Sequence, residues 1–268
     1  MARRRSARGP EKNSGPGSTD RHSREGYFDR SRQPLEILAF VAPLVILYEI
    51  GLIFALRGTG GTLTNGAHEE LVRFFSNIGV DPARLNVPTL ALPGIALLLV
   101  LVVWQLLVRR PWTLHLPTVA GMVLESILLA LPLLVLAQVV SRAFIPAGPE
   151  SMTQLGTFGR IAMSIGAGLY EELIFRMVLF SLLHTLFVNL FAMSERWGIA
   201  LSIALSAVLF ALYHPIHTAS GGWDLRRATF FLLAGLFFGV LYIVRGFGIV
   251  VGAHAFYDIA AVVLLSSE

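Results

Sequence analysis

Cysteine is absent from all 268 residues. This excludes a disulfide framework, a thiolate nucleophile and any cysteine-ligated zinc or iron–sulfur site. Chemistry must therefore come from carboxylates, imidazoles or hydroxyls. Charge is nearly as scarce, at 14% of residues, where a soluble domain carries about 25%. No internal repeat of about 20 to 50 residues, no Gly-rich phosphate loop and no dinucleotide fingerprint can be found. No Gly-x-Ser-x-Gly elbow appears either, so Ser126, Ser164 and Ser206 read as helix-packing residues rather than nucleophiles.

What remains is apolar. Hydrophobic residues make up 55% of the chain and the mean hydropathy is +0.69, which places it in lipid. The few cations are unevenly spread, with nine of the 21 Lys and Arg lying between Arg3 and Arg32. Residues 1–33 read as a disordered basic tail lying against anionic headgroups, so the net charge of +4 does not point to nucleic acid.

A bilayer core of about 30 Å takes about 20 apolar residues of helix. Leu35–Leu56, Thr89–Val108, Pro117–Val140, Ile161–Met193, Trp197–Tyr213, Ala228–Val244 and Phe247–Leu265 meet or approach this, giving seven spans. Ile161–Met193 is too long for one upright crossing, so it must tilt, protrude or break, and a break is expected near Gly166 and Gly168. A break would make an eighth span. Between the first two spans, Leu71, Val72, Phe75 and Ile78 recur at helical spacing beside His68, Glu69, Glu70 and Arg73, the pattern of a short interfacial helix. The fold expected for residues 34–268 is thus an all-α membrane bundle of seven to eight helices. With the tail, Arg109, Arg110, Arg196 and Arg245 on one side, Lys and Arg asymmetry puts the N-terminus in the cytoplasm and the protein in the cell membrane.

An ionised side chain at the centre of a membrane helix costs at least about 2.5 kcal/mol, so each one there needs a partner or a task. Three spans carry such groups: Gly168-Leu-Tyr-Glu171-Glu172-Leu-Ile-Phe-Arg176, Phe210-Ala-Leu-Tyr-His214, and His254-Ala-Phe-Tyr-Asp258. Residues four apart share a helix face, so Glu172 pairs with Arg176 and supports the fold. Glu171 points about 100° away from Glu172 and has no local counter-charge. A carboxylate so placed holds its proton more tightly and suits a general base. By the same spacing Asp258 accepts from one ring nitrogen of His254 and fixes its tautomer, leaving the other free. His214, before Pro215, can hold a water together with Glu171, and His254 can donate to a developing oxyanion. Glu125, also within a span, has no partner at helical spacing.

These three pieces in this order resemble the CAAX proteases and bacteriocin-processing enzymes, also called the CPBP or Abi family, over roughly Leu169 to Asp258. The resemblance implies a helical membrane bundle with a cavity, in which Glu171 activates water with His214, His254 and Asp258 line the oxyanion side, and Glu172 and Arg176 support them. It implies an intramembrane endopeptidase acting on a peptide or protein substrate, membrane-associated or lipidated, among membrane lipids and without nucleic acid. One position departs. An Asn at 258 could donate to an oxyanion, whereas an ionised Asp258 cannot, so Asp258 is either protonated or serves only to orient His254. No cofactor is needed in that reading. In a third reading Glu171, His214 and His254 bind a divalent metal such as zinc, with Asp258 behind them. Two other functions use the same residues: a proton- or ion-coupled transporter, and a non-catalytic immunity or scaffold membrane protein.

Overall fold

The computed structural model describes residues 26–58, 61–80, 89–140, 155–218 and 220–264. Apart from a two-residue hairpin, Arg57–Gly58 (β1) against Gly61–Thr62 (β2), its regular elements are helices. In chain order these are α1 (Tyr27–Arg30), α2 (Pro34–Phe54), α3 (Gly66–Asn77), α4 (Leu92–Val108), α5 (Leu116–Val140), α6 (Thr157–Leu190), α7 (Glu195–Tyr213), α8 (Leu225–Arg245) and α9 (Phe247–Ile259). A short π-helical stretch, Ala260–Leu264, continues α9. Five of them, α2, α5, α6, α7 and α8, are long and apolar enough to cross a membrane, and α4 and α9 are shorter apolar helices. The chain is an all-α integral membrane bundle.

Burial explains how it is organised. Large apolar side chains such as Leu107 and Val139 are about three-quarters exposed, as a lipid-facing surface requires. α9 is the opposite, buried on every side from Phe247 through Ala255, the signature of a central helix. It packs against α5, α6, α8 and α2. Small residues allow the close approach: a Cβ on Gly168 of α6 would lie 2.7 Å from the amide nitrogen of Ala255 and 2.8 Å from the carbonyl of Val251. Gly168 therefore serves as a contact point for α9.

That contact corrects one expectation. α6 does not break at Gly166 or Gly168 but runs unbroken for 34 residues, so there is no eighth span from this segment. Instead the helix widens into π-helical turns over Leu173–Phe180 and Thr185–Leu190. With Gly166 pressed against Tyr48 and Gly168 against α9, neither glycine has the room in which a helix could kink.

The end of the segment expected as a disordered tail is also structured, while residues 1–25 lie outside the described residues. α1 is held by tertiary partners. The Tyr27 hydroxyl donates to Glu125 Oε2 at 2.5 Å, Arg245 reaches both Glu125 oxygens at 2.5 and 2.7 Å, and Arg245 also donates to Ser31 Oγ at 3.0 Å. Arg32 donates to the carbonyls of Ile243 and Val244. Glu125 thus finds across the bundle the counter-charge its own helix does not offer.

α3 is the expected short helix, and at 12 residues it cannot span. Its buried face is Ala67 and His68, with His68 lodged between Tyr48 and Tyr170, ring centroids 5.4 and 5.0 Å away. Burial pushes the His68 imidazole down to about 4, against a weaker opposing pull from Glu69, so it is neutral at physiological pH.

Removing Glu125 leaves Arg245, whose side chain is only 8% exposed, without its carboxylate. Glu125→Ala should cost about 3 kcal/mol and Tyr27→Phe about 1 kcal/mol, read from thermal unfolding of the purified protein. Additive losses in the double variant would show that the three groups do not act as one network.

Candidate active site

The polar cluster is built where α6, α7 and α9 meet. Glu171 and Glu172 are the last two residues of regular α-helix before the first π-helical stretch of α6, and Arg176 lies inside that stretch. Such widened turns displace side chains from the regular register and recur at functional sites. Glu172 and Arg176 are fully buried, and Nε of Arg176 sits 3.2 Å from Oε2 of Glu172. The guanidinium lies over the Phe210 ring at 4.7 Å and donates to the Gly235 carbonyl at 3.4 Å. This is the ion pair expected from the spacing.

His214 owes its position to Pro215. The residue before a proline is driven to extended backbone, and His214 has φ −86° and ψ 161°, which ends α7. Its amide bonds to the Ala211 carbonyl at 3.2 Å, leaving the Phe210 carbonyl without its usual helical partner. The imidazole fills that role: Nδ1–H donates to the Phe210 oxygen at 2.7 Å. With the ring also stacked on Phe231 at 4.0 Å, Nε2 is aimed at Oε2 of Glu171, 3.4 Å away. A carbonyl can only accept, so the neutral ring carries its proton on Nδ1 and turns a lone pair to the carboxylate.

His254 meets Asp258 through one ring nitrogen, as the spacing implies, but its other nitrogen is not left free. Its Nδ1 lies 2.8 Å from Oε1 of Glu172, not beside Asp258. Asp258 Oδ2 instead lies 3.5 Å from Nε2, the nitrogen that also faces Oε2 of Glu171 at 3.9 Å. The spacing that suggested Asp258 as the orienting group is real, but it leads to the other nitrogen. Glu172 accepts the first and so fixes the ring, which is stacked on Phe238 at 4.6 Å.

Glu171 sits at the centre and is 5% exposed. It does lack a partner on its own helix, as expected, yet it is not unpaired. Asn65, at the start of α3, donates from Nδ2 to Oε1 at 3.0 Å. The opposite oxygen, Oε2, is buried without a hydrogen-bond partner and faces the Nε2 atoms of both histidines. All four residues of the expected catalytic set, Glu171, His214, His254 and Asp258, therefore share one chamber, with Glu172 and Arg176 behind them. His217 is outside it, exposed and packed against Trp223.

Chemically the chamber pairs a hydrogen-bond-starved carboxylate oxygen with two imidazole nitrogens. Oε2 of Glu171 and the lone pair of His214 Nε2 are both acceptors, so a bond between them needs a shared proton or a molecule that donates to both. Asn65 escaped the sequence reading because it lies outside any span and 106 positions from Glu171. The only local sign was its suitability as a helix N-cap before Gly66. Among the described residues, no three His, Asp or Glu side chains are placed as a metal-holding group.

Residues 153–260 match the family described as type II CAAX prenyl endopeptidase, Rce1-like. No curated protein and no solved structure gave a match. The matched region runs from the start of α6 to the end of α9 and contains every residue of the chamber except Asn65. Over that region, which is less than half of the chain, the protein is similar to the Rce1-like CAAX endopeptidases, and the region is the one that brings the carboxylates and histidines together in a membrane bundle.

Proposed function

We propose that this protein is an intramembrane endopeptidase that hydrolyses a peptide bond near the C-terminus of a prenylated, membrane-associated substrate. The reading is carried by the free Oε2 of Glu171, buried and flanked by Nε2 of His214 at 3.4 Å and Nε2 of His254 at 3.9 Å. A water donating one proton to Glu171 and the other to His214 is held with its lone pair free, ready to attack a carbonyl carbon. Glu171 takes a proton as the new C–O bond forms. The same proton later goes to the departing amine, so the carboxylate ends as it began.

The tetrahedral oxyanion needs donors on its other side. His254 supplies one from Nε2 when that nitrogen carries a proton, since Nδ1–H is committed to Glu172. Asp258 lies against the same nitrogen and can donate to an oxyanion only when protonated. Glu172 and Arg176 hold His254 without touching substrate. The reaction in this form uses no metal. The family supports the protease activity, and the lipid-facing exterior supports a substrate arriving from the bilayer. We also place the N-terminus in the cytoplasm, with the chain in the cell membrane. Nine of the 21 Lys and Arg lie between Arg3 and Arg32, and α1 shares its end of the bundle with Arg245.

In detergent or nanodiscs, a farnesylated CAAX peptide should be cut by the purified protein. Glu171→Gln should lower kcat by about 10²- to 10⁴-fold while unfolding normally, and a chelator should leave the rate unchanged. Chelator-sensitive cleavage, restored by zinc, would replace water activation by Glu171 with a metal centre. Asp258→Asn gains an N–H for the oxyanion and should retain or raise kcat, whereas Asp258→Leu should lower it. Equal activity of all three forms would remove Asp258 from the mechanism. For orientation, a cysteine put in place of Ser6 in this cysteine-free chain should react with an impermeant maleimide only from the cytoplasmic face of sealed membranes.

A further inference from the structure

We infer that Asn65, outside the region matched to the protease family, is a positioning residue that aims Glu171 at the two histidines. This rests on the hydrolase reading for its consequence in catalysis and on geometry alone for the contact itself. The Asn65 side chain has two ends with two different tasks. Oδ1 accepts from the amide of Ala67 at 2.8 Å, capping α3, and Nδ2 donates to Oε1 of Glu171 at 3.0 Å. Only one orientation of the amide satisfies both, because the Ala67 N–H can only donate and an ionised carboxylate can only accept. Cap and catalytic carboxylate are thus locked to each other through one planar group.

The position of that group is fixed independently. Three residues on, His68 is fully buried between Tyr48 of α2 and Tyr170 of α6, and Tyr170 directly precedes Glu171. Gly66 lies beneath the Tyr213 hydroxyl, where a Cβ would collide, and Tyr213 directly precedes His214. α3 is therefore seated on the immediate neighbours of both Glu171 and His214. With Oε1 held by Asn65, rotation of the carboxylate about its last bond is restricted, and Oε2 stays turned to the two Nε2 atoms. A free carboxylate could instead present either oxygen or swing to pair with a histidine outright. Misorientation of a reacting group by about 1 Å can cost about a hundredfold in rate.

Asn65→Asp separates the two tasks, since Asp caps a helix as well as Asn does but has no N–H to give and sets a second carboxylate against Glu171. We expect kcat for the farnesylated CAAX peptide to fall about tenfold to a hundredfold with KM within about twofold of wild type. Unfolding of Asn65→Asp should occur a few degrees lower, and that drop should vanish in Asn65→Asp combined with Glu171→Gln, where the new amide donates to the new carboxylate. Wild-type kcat and wild-type unfolding for Asn65→Asp would overturn the inference, leaving Asn65 as a cap only. A thermal loss that persists in the double variant would overturn it too, because the residue would then act through the fold and not through Glu171. Should the wild-type protein not cut the peptide, the hydrolase reading fails, while the thermal coupling still decides whether Asn65 holds Glu171.

Discussion

Glu172 is the hinge on which the chamber turns. One carboxylate, fully buried, uses Oε2 to meet Arg176 on its own helix and Oε1 to meet His254 on another. Taking a carboxylate and a guanidinium out of water costs several kcal/mol per ion, recovered only if the pair is well made and its remaining valences are used. Part of that cost is offset by lodging Arg176 among the rings of Phe175, Phe210 and Phe238 and by turning the second carboxylate oxygen to an imidazole. A consequence is that α6 and α9 cannot slide past each other without breaking a buried bond. The close contact at Gly168 holds the same two helices at the same level.

From that constraint the orientations of the other groups follow. With Nδ1 of His254 taken by Glu172, Nε2 faces the chamber. With Nδ1 of His214 taken by the Phe210 carbonyl at the proline-ended terminus of α7, its Nε2 faces the chamber as well. Two different devices, a carboxylate and a helix-end carbonyl, thus each occupy the Nδ1 of one histidine and aim its Nε2 at Oε2 of Glu171. Aromatic faces, Phe231 under His214 and Phe238 under His254, restrict the remaining ring motion. The site is preorganised by groups that would not take part in chemistry themselves.

The part of the chain outside the family match contributes more than bulk. α2 and α3 supply the notch for His68 and bring Asn65 to Glu171, and α5 supplies Glu125, which binds α1 and the end of α8 together. The N-terminal elements therefore brace both ends of the matched region, one at Glu171 and one at the end of α8.

By itself the sequence determined everything that depends on composition or on short spacing. Hydropathy placed the chain in lipid, and the four-residue intervals found Glu172 with Arg176 and the polar faces carrying Glu171, His214 and His254. These are properties of a single helix, where 3.6 residues per turn fixes which side chains are neighbours. Tertiary structure decided the rest. Glu172 rather than Asp258 takes Nδ1 of His254, Asn65 rather than nothing holds Glu171, and Glu125 is joined by Tyr27 and Arg245, contacts across 82, 106, 98 and 120 positions. Gly166 and Gly168 became packing contacts for the same reason. Which helices touch, and at what height, is set by how the whole bundle fills its interior, and no interval within one helix encodes that.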